Sequence, residues 1–544
     1  MKKVLVIGSG ISGLTAAIEC AYQGMEATIV SPYSSERAQS VLAAGGINAV
    51  ISPNESGDGI ECHIEDTLKS GCYIAGENAV RGLCENAPDI VKWLERIGML
   101  FSLDSNGNII RRAFGGQSYN RTCYSGASTG KQIVTALVME ARRLEVLGLI
   151  KRRLGLNFYS GLIRDGICYG GIFHNIIDDT LEIIKADSVI VSTGGQNLLF
   201  GKTTGSALCD GFVAGQLFMQ GVELKNLEFI QYHPTTIETP QKRMLISEAV
   251  RGEGGRLYYL DNGKRVYFME DRFGKKGNLM PRDVVSRCIE ETKRDVFLDI
   301  TFLGKKEILK RIPEVYDLCI KYRGIDISKE SIPIVTSVHF FMGGIAVNNQ
   351  HETNIKNLYA VGECASIYHG ANRIGGNSLL AALYSGKVAG QAIKKANETS
   401  CDLDFTNELE KAEKRIEDIN NLNGSYSVMN IRDSLSKCFK DNLGIVRSED
   451  RLKRGIEEVS NYLSAVEKND FYNNDKVYSG YSIEAILTLA KATLICAQYR
   501  KESRGAHFRE DYPDRDNSFK ASTIIAYKGG KFDTYLDLEK KYES

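Results

Sequence analysis

The first thirty-one residues constrain this chain more than any other stretch. Val4-Leu5-Val6-Ile7 is a continuous apolar run, the pattern of a strand buried on both faces of a parallel sheet. It leads into Gly8-Ser9-Gly10-Ile11-Ser12-Gly13, then into the helix-like Leu14-Thr15-Ala16-Ala17-Ile18, and a second strand pattern follows at Glu26-Ala27-Thr28-Ile29-Val30. Strand, GxGxxG, helix and strand form a dinucleotide-binding unit. Its glycines permit a tight turn, close approach of a pyrophosphate and tight helix–strand packing, and the helix N-terminus faces the anion. A glycine-rich turn alone would say little; between these elements it predicts an α/β nucleotide-binding sheet.

The unit departs from its usual form at one position. Ser31 stands where an acidic residue commonly accepts the ribose hydroxyls. This counts against a nicotinamide dinucleotide more than against a flavin dinucleotide. Further glycine clusters lie at Ser40-Val41-Leu42-Ala43-Ala44-Gly45-Gly46-Ile47 and, after the apolar Ser188-Val189-Ile190-Val191, at Ser192-Thr193-Gly194-Gly195. A site assembled from such distant pieces suits a large flavin.

Glycine is in excess, 53 of 544 residues, which fits close backbone packing around a ligand. Lys+Arg and Asp+Glu balance at 68 each, so neither nucleic acid nor an anionic membrane is favoured as a partner. With 43% hydrophobic residues the chain is neither collagenous nor disordered. Its 13 cysteines are scattered singly without a CxxC pair, which argues for reduced thiols in the cytoplasm and against a zinc or iron–sulfur site within this chain. No run approaches 18 consecutive apolar residues, so no membrane span is expected.

Six further segments carry a resemblance over nearly the whole chain. They are Glu228-Phe229-Ile230-Gln231-Tyr232-His233-Pro234-Thr235, Ser247-Glu248-Ala249-Val250-Arg251-Gly252-Glu253-Gly254-Gly255, Pro281-Arg282-Asp283, His339-Phe340-Phe341-Met342-Gly343-Gly344, Gly362-Glu363-Cys364 with His369-Gly370-Ala371-Asn372-Arg373 and Asn377-Ser378-Leu379-Leu380, and Glu502 to Asp516. In this order and spacing they resemble the flavoprotein family of succinate dehydrogenase, fumarate reductase and L-aspartate oxidase.

The resemblance implies an α/β fold: a split Rossmann-like FAD-binding domain, an inserted α+β capping domain and a C-terminal helical domain. The expected boundaries are 1–228 and 341–400 for the two FAD-binding parts, 229–340 for the cap and 405–515 for the helical domain, with a polar tail at 516–544. The charged helices after Asn407 read as solvated scaffolding, and the Gly529-Gly530 turn in the tail suggests no chemistry.

By the same resemblance, His233, Ser247, His339 and Arg373 hold the carboxylates of a four-carbon substrate against the flavin. Arg282 exchanges a proton with the substrate carbon, and Glu248 and Arg251 relay that proton outward. The alternative for Arg282 is a structural ion pair with Asp283. Gly8, Gly10, Gly13, Ser31, Ser40, Gly45, Gly46, Asp210, Glu363, Ser378 and Leu379 match the family's FAD-contacting positions, Glu363 at the ribose.

Two departures bear on the subtype. Gln39 stands where succinate dehydrogenases and membrane-bound fumarate reductases carry the histidine that links covalently to flavin, so a dissociable, non-covalent FAD is expected. Phe114 stands where L-aspartate oxidases place a glutamate for the substrate ammonium, and an apolar ring cannot offset that charge. Against this, Ser118-Tyr119-Asn120-Arg121 and the chain length resemble aspartate oxidases. The expected activity is fumarate–succinate interconversion, with a separate iron–sulfur protein as electron partner; L-aspartate oxidation is the alternative enzyme and a flavin-binding scaffold the non-catalytic one.

Overall fold

A computed structural model describes residues 1–51, 57–126, 128–396 and 403–542. The N-terminal pattern builds the centre of a five-stranded parallel sheet, in the order Leu358–Ala360, Ser188–Val191, Lys3–Ile7, Glu26–Ser31 and Ile150–Leu154. Leu5 pairs with both Val189 and Thr28, so the first strand is interior and its apolar run is buried on both faces. The edge strand Leu358–Ala360 arrives more than 150 residues after its neighbour Ser188–Val191. The nucleotide-binding sheet is therefore interrupted in sequence and closed again in space.

Helix Ile11–Tyr22 packs on the second half through helix Asn377–Lys395. Gly13 allows the tight start of the first helix, since a Cβ there would lie 2.2 Å from the Gly8 carbonyl.

The inserted region forms its own six-stranded sheet, ordered Arg243–Leu245, Ile230–Glu238, Ile332–Phe341, Val296–Asp299, Arg256–Asp261 and Lys264–Val266. Its helices cover a separate apolar core around Ile246, Val250, Leu257, Val285 and Leu298. The two long central strands, Ile230–Glu238 and Ile332–Phe341, pair antiparallel and lead back to the nucleotide-binding part.

Helices Thr406–Asn421, Val428–Asn442, Glu449–Glu467 and Val477–Tyr499 follow. The last corrects the reading of this region as solvated scaffolding. By length and composition it could cross a membrane, yet 83% of its most apolar window is buried inside the protein. Lys491 and Glu484 interrupt its apolar run, which is why a search for unbroken stretches passes it over. The polar tail also has structure: Thr523–Lys528 and Lys531–Leu536 form a hairpin about Gly529-Gly530, and its first strand pairs with Leu224–Lys225.

Buried charges tie these parts at the entrance to the inserted region. Arg500 pairs with Glu228 at 2.6 Å and Glu502 at 2.9 Å, and Arg504 with Glu502 at 2.7 Å, all nearly solvent-free. Removing one partner from such a pair costs about 3–5 kcal/mol, so the strand starting at Ile230 leaves from a fixed base.

Candidate active site

A cavity of about 300 Å³ runs from the nucleotide-binding sheet to the inserted domain. At one end lie Gly8, Gly10, Ser31, Tyr33 and Tyr478; at the other His233, Ser247, Glu248, Arg282, His339 and Arg373. Ser40, Gly45, Gly46, Asp210, Glu363, Ser378, Leu379, Gln39 and Phe114 also line it. Of the residues expected at the site, two stand behind the wall: Gly13 packs on Gly8, and Arg251 pairs with Glu248.

The two histidines reach the cavity through irregular strand pairing. Gln231 pairs with Phe340 and Tyr232 with Val338, so His339 is the extra residue of a bulge. A second register shift follows between His233 and Thr236. Bulges re-aim side chains, and here they set the two rings 5.2 Å apart at 63°. His233 Nδ1 bonds the Thr235 carbonyl at 3.0 Å, and His339 Nδ1 meets Thr204 Oγ1 at 2.9 Å. Burial first, then the Arg282 guanidinium, holds both rings well below the usual histidine range, so both are neutral near pH 7.

Arg282 opens helix Arg282–Thr292. Its Nε and Nη2 donate to Glu248 Oε2 at 3.1 and 2.9 Å, and its Nη1 donates to Gln231 Oε1 at 3.2 Å. The partner is thus Glu248 rather than Asp283, which accepts instead from Asn372 Nδ2 at 3.0 Å. Helix geometry explains this: neighbours in sequence point to different faces. Glu248 also accepts from Arg251 at 2.9 Å. Burial pushes its carboxyl up, but the Arg282 and Arg251 charges prevail and hold it at about 2.

Gln231 is the residue that sequence reasoning left without a role. Its Oε1 accepts from Arg282 Nη1 and, at 2.9 Å, from Arg373 Nη2. Its Nε2 donates to Asn372 Oδ1 and the Arg373 carbonyl, both at 2.7 Å. Its position two residues before His233 in a strand was the available signal. Arg373 lies over the Phe340 ring at 4.3 Å, and burial together with Arg282 lowers it to about 9. Three guanidiniums and one carboxylate leave this end of the cavity positive, suited to an anion.

The other end suits a flavin dinucleotide on its own geometry. Helices Ile11–Tyr22 and Asn377–Lys395 both start at the cavity wall from a glycine without a capping side chain; Ser40 Oγ accepts from the Ile11 N–H at 3.2 Å and the Ile374 carbonyl from the Asn377 N–H at 3.4 Å. Gly376, at φ +86°, is needed because a Cβ would lie 2.0 Å from Asn48 Oδ1. Ser9 Oγ donates to Ser31 Oγ at 3.0 Å. Tyr478, from the buried helix, donates to Asp210 at 2.5 Å. Glu363 accepts from the Phe341 N–H at 3.1 Å, and burial raises its carboxyl to about 7.

Phe114 is buried, its ring 3.9 Å from the position a Gly45 Cβ would take. The stretch Ser118–Arg121 lines none of the cavity. Ser118 Oγ donates to Asp66 Oδ1 at 2.6 Å, and Arg121 pairs with Asp58 and Asp66 at 2.8 and 2.6 Å.

Comparisons with known proteins agree with this division. An FAD binding domain family matches residues 3–379, and a family described as fumarate reductase flavoprotein C-term matches residues 432–541. The succinate dehydrogenase flavoprotein subunit of Bacillus subtilis (strain 168) is 34% identical, covering 98% of this chain and 96% of its own. The 8-methylmenaquinol:fumarate reductase flavoprotein subunit of Wolinella succinogenes is 33% identical, covering 97% of this chain and 89% of its own. Among solved structures, a chain of E. coli quinol fumarate reductase superimposes with TM-score 0.89 at 28% identity, covering 98% and 97%.

Proposed function

This chain belongs to the flavoprotein family of succinate dehydrogenase and fumarate reductase and is an FAD-dependent oxidoreductase, and from that premise we propose that it interconverts fumarate and succinate. One observation carries the reading. Two neutral histidines, Ser247 and two arginines face one end of the cavity, and the carboxylate among them, Glu248, is already held by Arg282 and Arg251.

Bound FAD supplies or accepts the hydride. The protein does the rest. His233, His339, Ser247 and Arg373 hold the two carboxylates, and the positive field favours a dianion. Arg282 presents an N–H to the carbon next to the hydride-bearing one, so hydride plus proton across the double bond gives succinate. Arginine is an unusual acid, because a guanidinium stays charged across the ordinary pH range. Glu248 orients Arg282 and returns a proton to it, and Arg251, behind Glu248, forms the next member of that relay. The inserted domain contributes His233, Ser247, Glu248, Arg282 and His339 to the wall at this end and so shields a bound substrate from water.

Phe114 supports a dicarboxylate without an ammonium group. An ammonium beside Phe114 would find Glu248 engaged and two guanidiniums close by. The segment Ser118–Arg121, which resembled aspartate oxidases, serves a buried ion-pair network away from the cavity. Gln39, whose Oε1 accepts from the Ser206 N–H, supports non-covalent FAD. A separate iron–sulfur protein is the proposed electron partner, consistent with relatives named as flavoprotein subunits.

The test is fumarate-dependent oxidation of a reduced viologen by FAD-loaded protein, with succinate measured as product. Stoichiometric succinate supports the reading. A loaded protein that makes none, yet turns over L-aspartate, refutes it.

A further inference from the structure

Arg112 closes the short strand Arg111–Arg112 behind the glycine stretch of the cofactor site. Its Nη2 donates to the carbonyls of Ala44, at 2.7 Å, and of Gly45. Its guanidinium lies 4.1 Å from the Tyr124 ring centroid and 5.4 Å from that of Phe114. Its Nε is buried with no hydrogen-bond partner.

Among the described residues no carboxylate pairs with Arg112; among acidic side chains, Glu314 acts on it, without an ion pair. Three more deeply buried arginines face carboxylates: Arg121 faces Asp58 and Asp66, Arg251 faces Glu248, and Arg500 faces Glu228 and Glu502, whereas Arg373 and Arg447, like the half-buried Arg112, have no ion-paired carboxylate among the described residues. Leaving a desolvated cation without a counter-ion is costly, and a neutral donor could pin two carbonyls as well. The charge itself therefore calls for a partner.

Ala44, Gly45 and Phe114, which Arg112 touches, line the cavity. One layer of peptide and aromatic ring separates the guanidinium from the cofactor site. Such a layer screens a unit charge far less than water does. FAD that takes up two electrons and one proton gains one net negative charge. We propose that Arg112 is the counter-charge for reduced FAD: a positioning residue that raises the cofactor's potential from behind Ala44, Gly45 and Phe114. The inference rests on the FAD assignment and is independent of which dicarboxylate is used. A redox titration without substrate tests it apart from the function proposed above.

The experiment compares the midpoint potentials of FAD-loaded wild type, Arg112→Met, Arg112→Gln and Arg112→Lys, with FAD content measured for each. The two neutral variants should lower the reduced-to-oxidised ratio at a given potential tenfold or more, about 30 mV per tenfold for a two-electron couple. Arg112→Lys, which keeps the charge, should stay within threefold of wild type. Neutral variants that lose oxidised FAD while the Lys variant retains it would make Arg112 a binding residue and overturn the proposal. Loaded neutral variants within threefold of wild type overturn the proposal, as does a Lys variant that shifts with them, or loss of FAD from all three.

Discussion

Replacing Gln231 by leucine should disable the site without unfolding it. The Gln231 Oε1 accepts from Arg282 Nη1 at 3.2 Å and Arg373 Nη2 at 2.9 Å, so one carbonyl sets both guanidiniums. Hydrogen bonds to charged groups contribute about 1.5–3 kcal/mol each. The two losses do not add fully, because Glu248 still holds Arg282 through two bonds. A net cost of about 2–4 kcal/mol, at 1.36 kcal/mol per tenfold, gives roughly a 30- to 1000-fold fall in kcat/KM for fumarate. Loss of aim at Arg282 should appear in kcat and loss of the clamp at Arg373 in KM. Gln231→Glu tests the electrostatic side: it keeps an acceptor but adds one negative charge, so KM should rise more than kcat falls. The assay is steady-state fumarate reduction by FAD-loaded protein, with FAD content as the folding control. A loaded Gln231→Leu protein within threefold of wild type would refute the reasoning.

Acid should destabilise the fold before most of its carboxylates titrate; Glu363, raised to about 7, acts in the opposite sense and offsets about one histidine. Burial lowers His63 and His351 to about 4 and His369 to about 3, and lowers His233, His339 and His507 too. Between pH 6.5 and about 4 the unfolded chain binds more protons than the native one, so stability falls as pH falls, by about 1 kcal/mol per histidine between pH 7 and 5.5; a melting temperature at pH 5.5 equal to that at pH 7 would contradict this. Gly375→Ala puts a Cβ 3.0 Å from Phe114 Cβ and 3.3 Å from Arg282 Nη2, and should cost more than tenfold in kcat while FAD content is unchanged. With Gln39 in place of a linking histidine, acid precipitation should leave all the flavin in the supernatant; flavin retained in the pellet would show a covalent bond.

The N-terminal unit was legible because its signals are local: an apolar run, fixed glycine spacing and a helix within thirty-one residues. The positive end of the cavity was legible as residue types, since His233, His339, Arg282 and Arg373 stood in recognisable segments. What holds them was not. Gln231 reaches Arg373 across 142 positions, and Tyr478 reaches Asp210 across 268. Such pairings follow from topology, and no periodicity reports them. The helix Val477–Tyr499 hid for a related reason: its charged residues lie in a mostly buried helix, and sequence alone shows the charges and not their partners. Arg112 looked like one more basic residue until its half-buried guanidinium was found on two carbonyls of the cavity wall with no carboxylate beside it.

The most direct test of the central claim is anaerobic mixing of the oxidised, FAD-loaded protein with excess succinate or excess L-aspartate, followed by flavin absorbance. Succinate should bleach the flavin, added fumarate should restore its colour, and L-aspartate should leave it unchanged. Rapid bleaching by L-aspartate would contradict the account at Phe114 and make an amino-dicarboxylate the substrate.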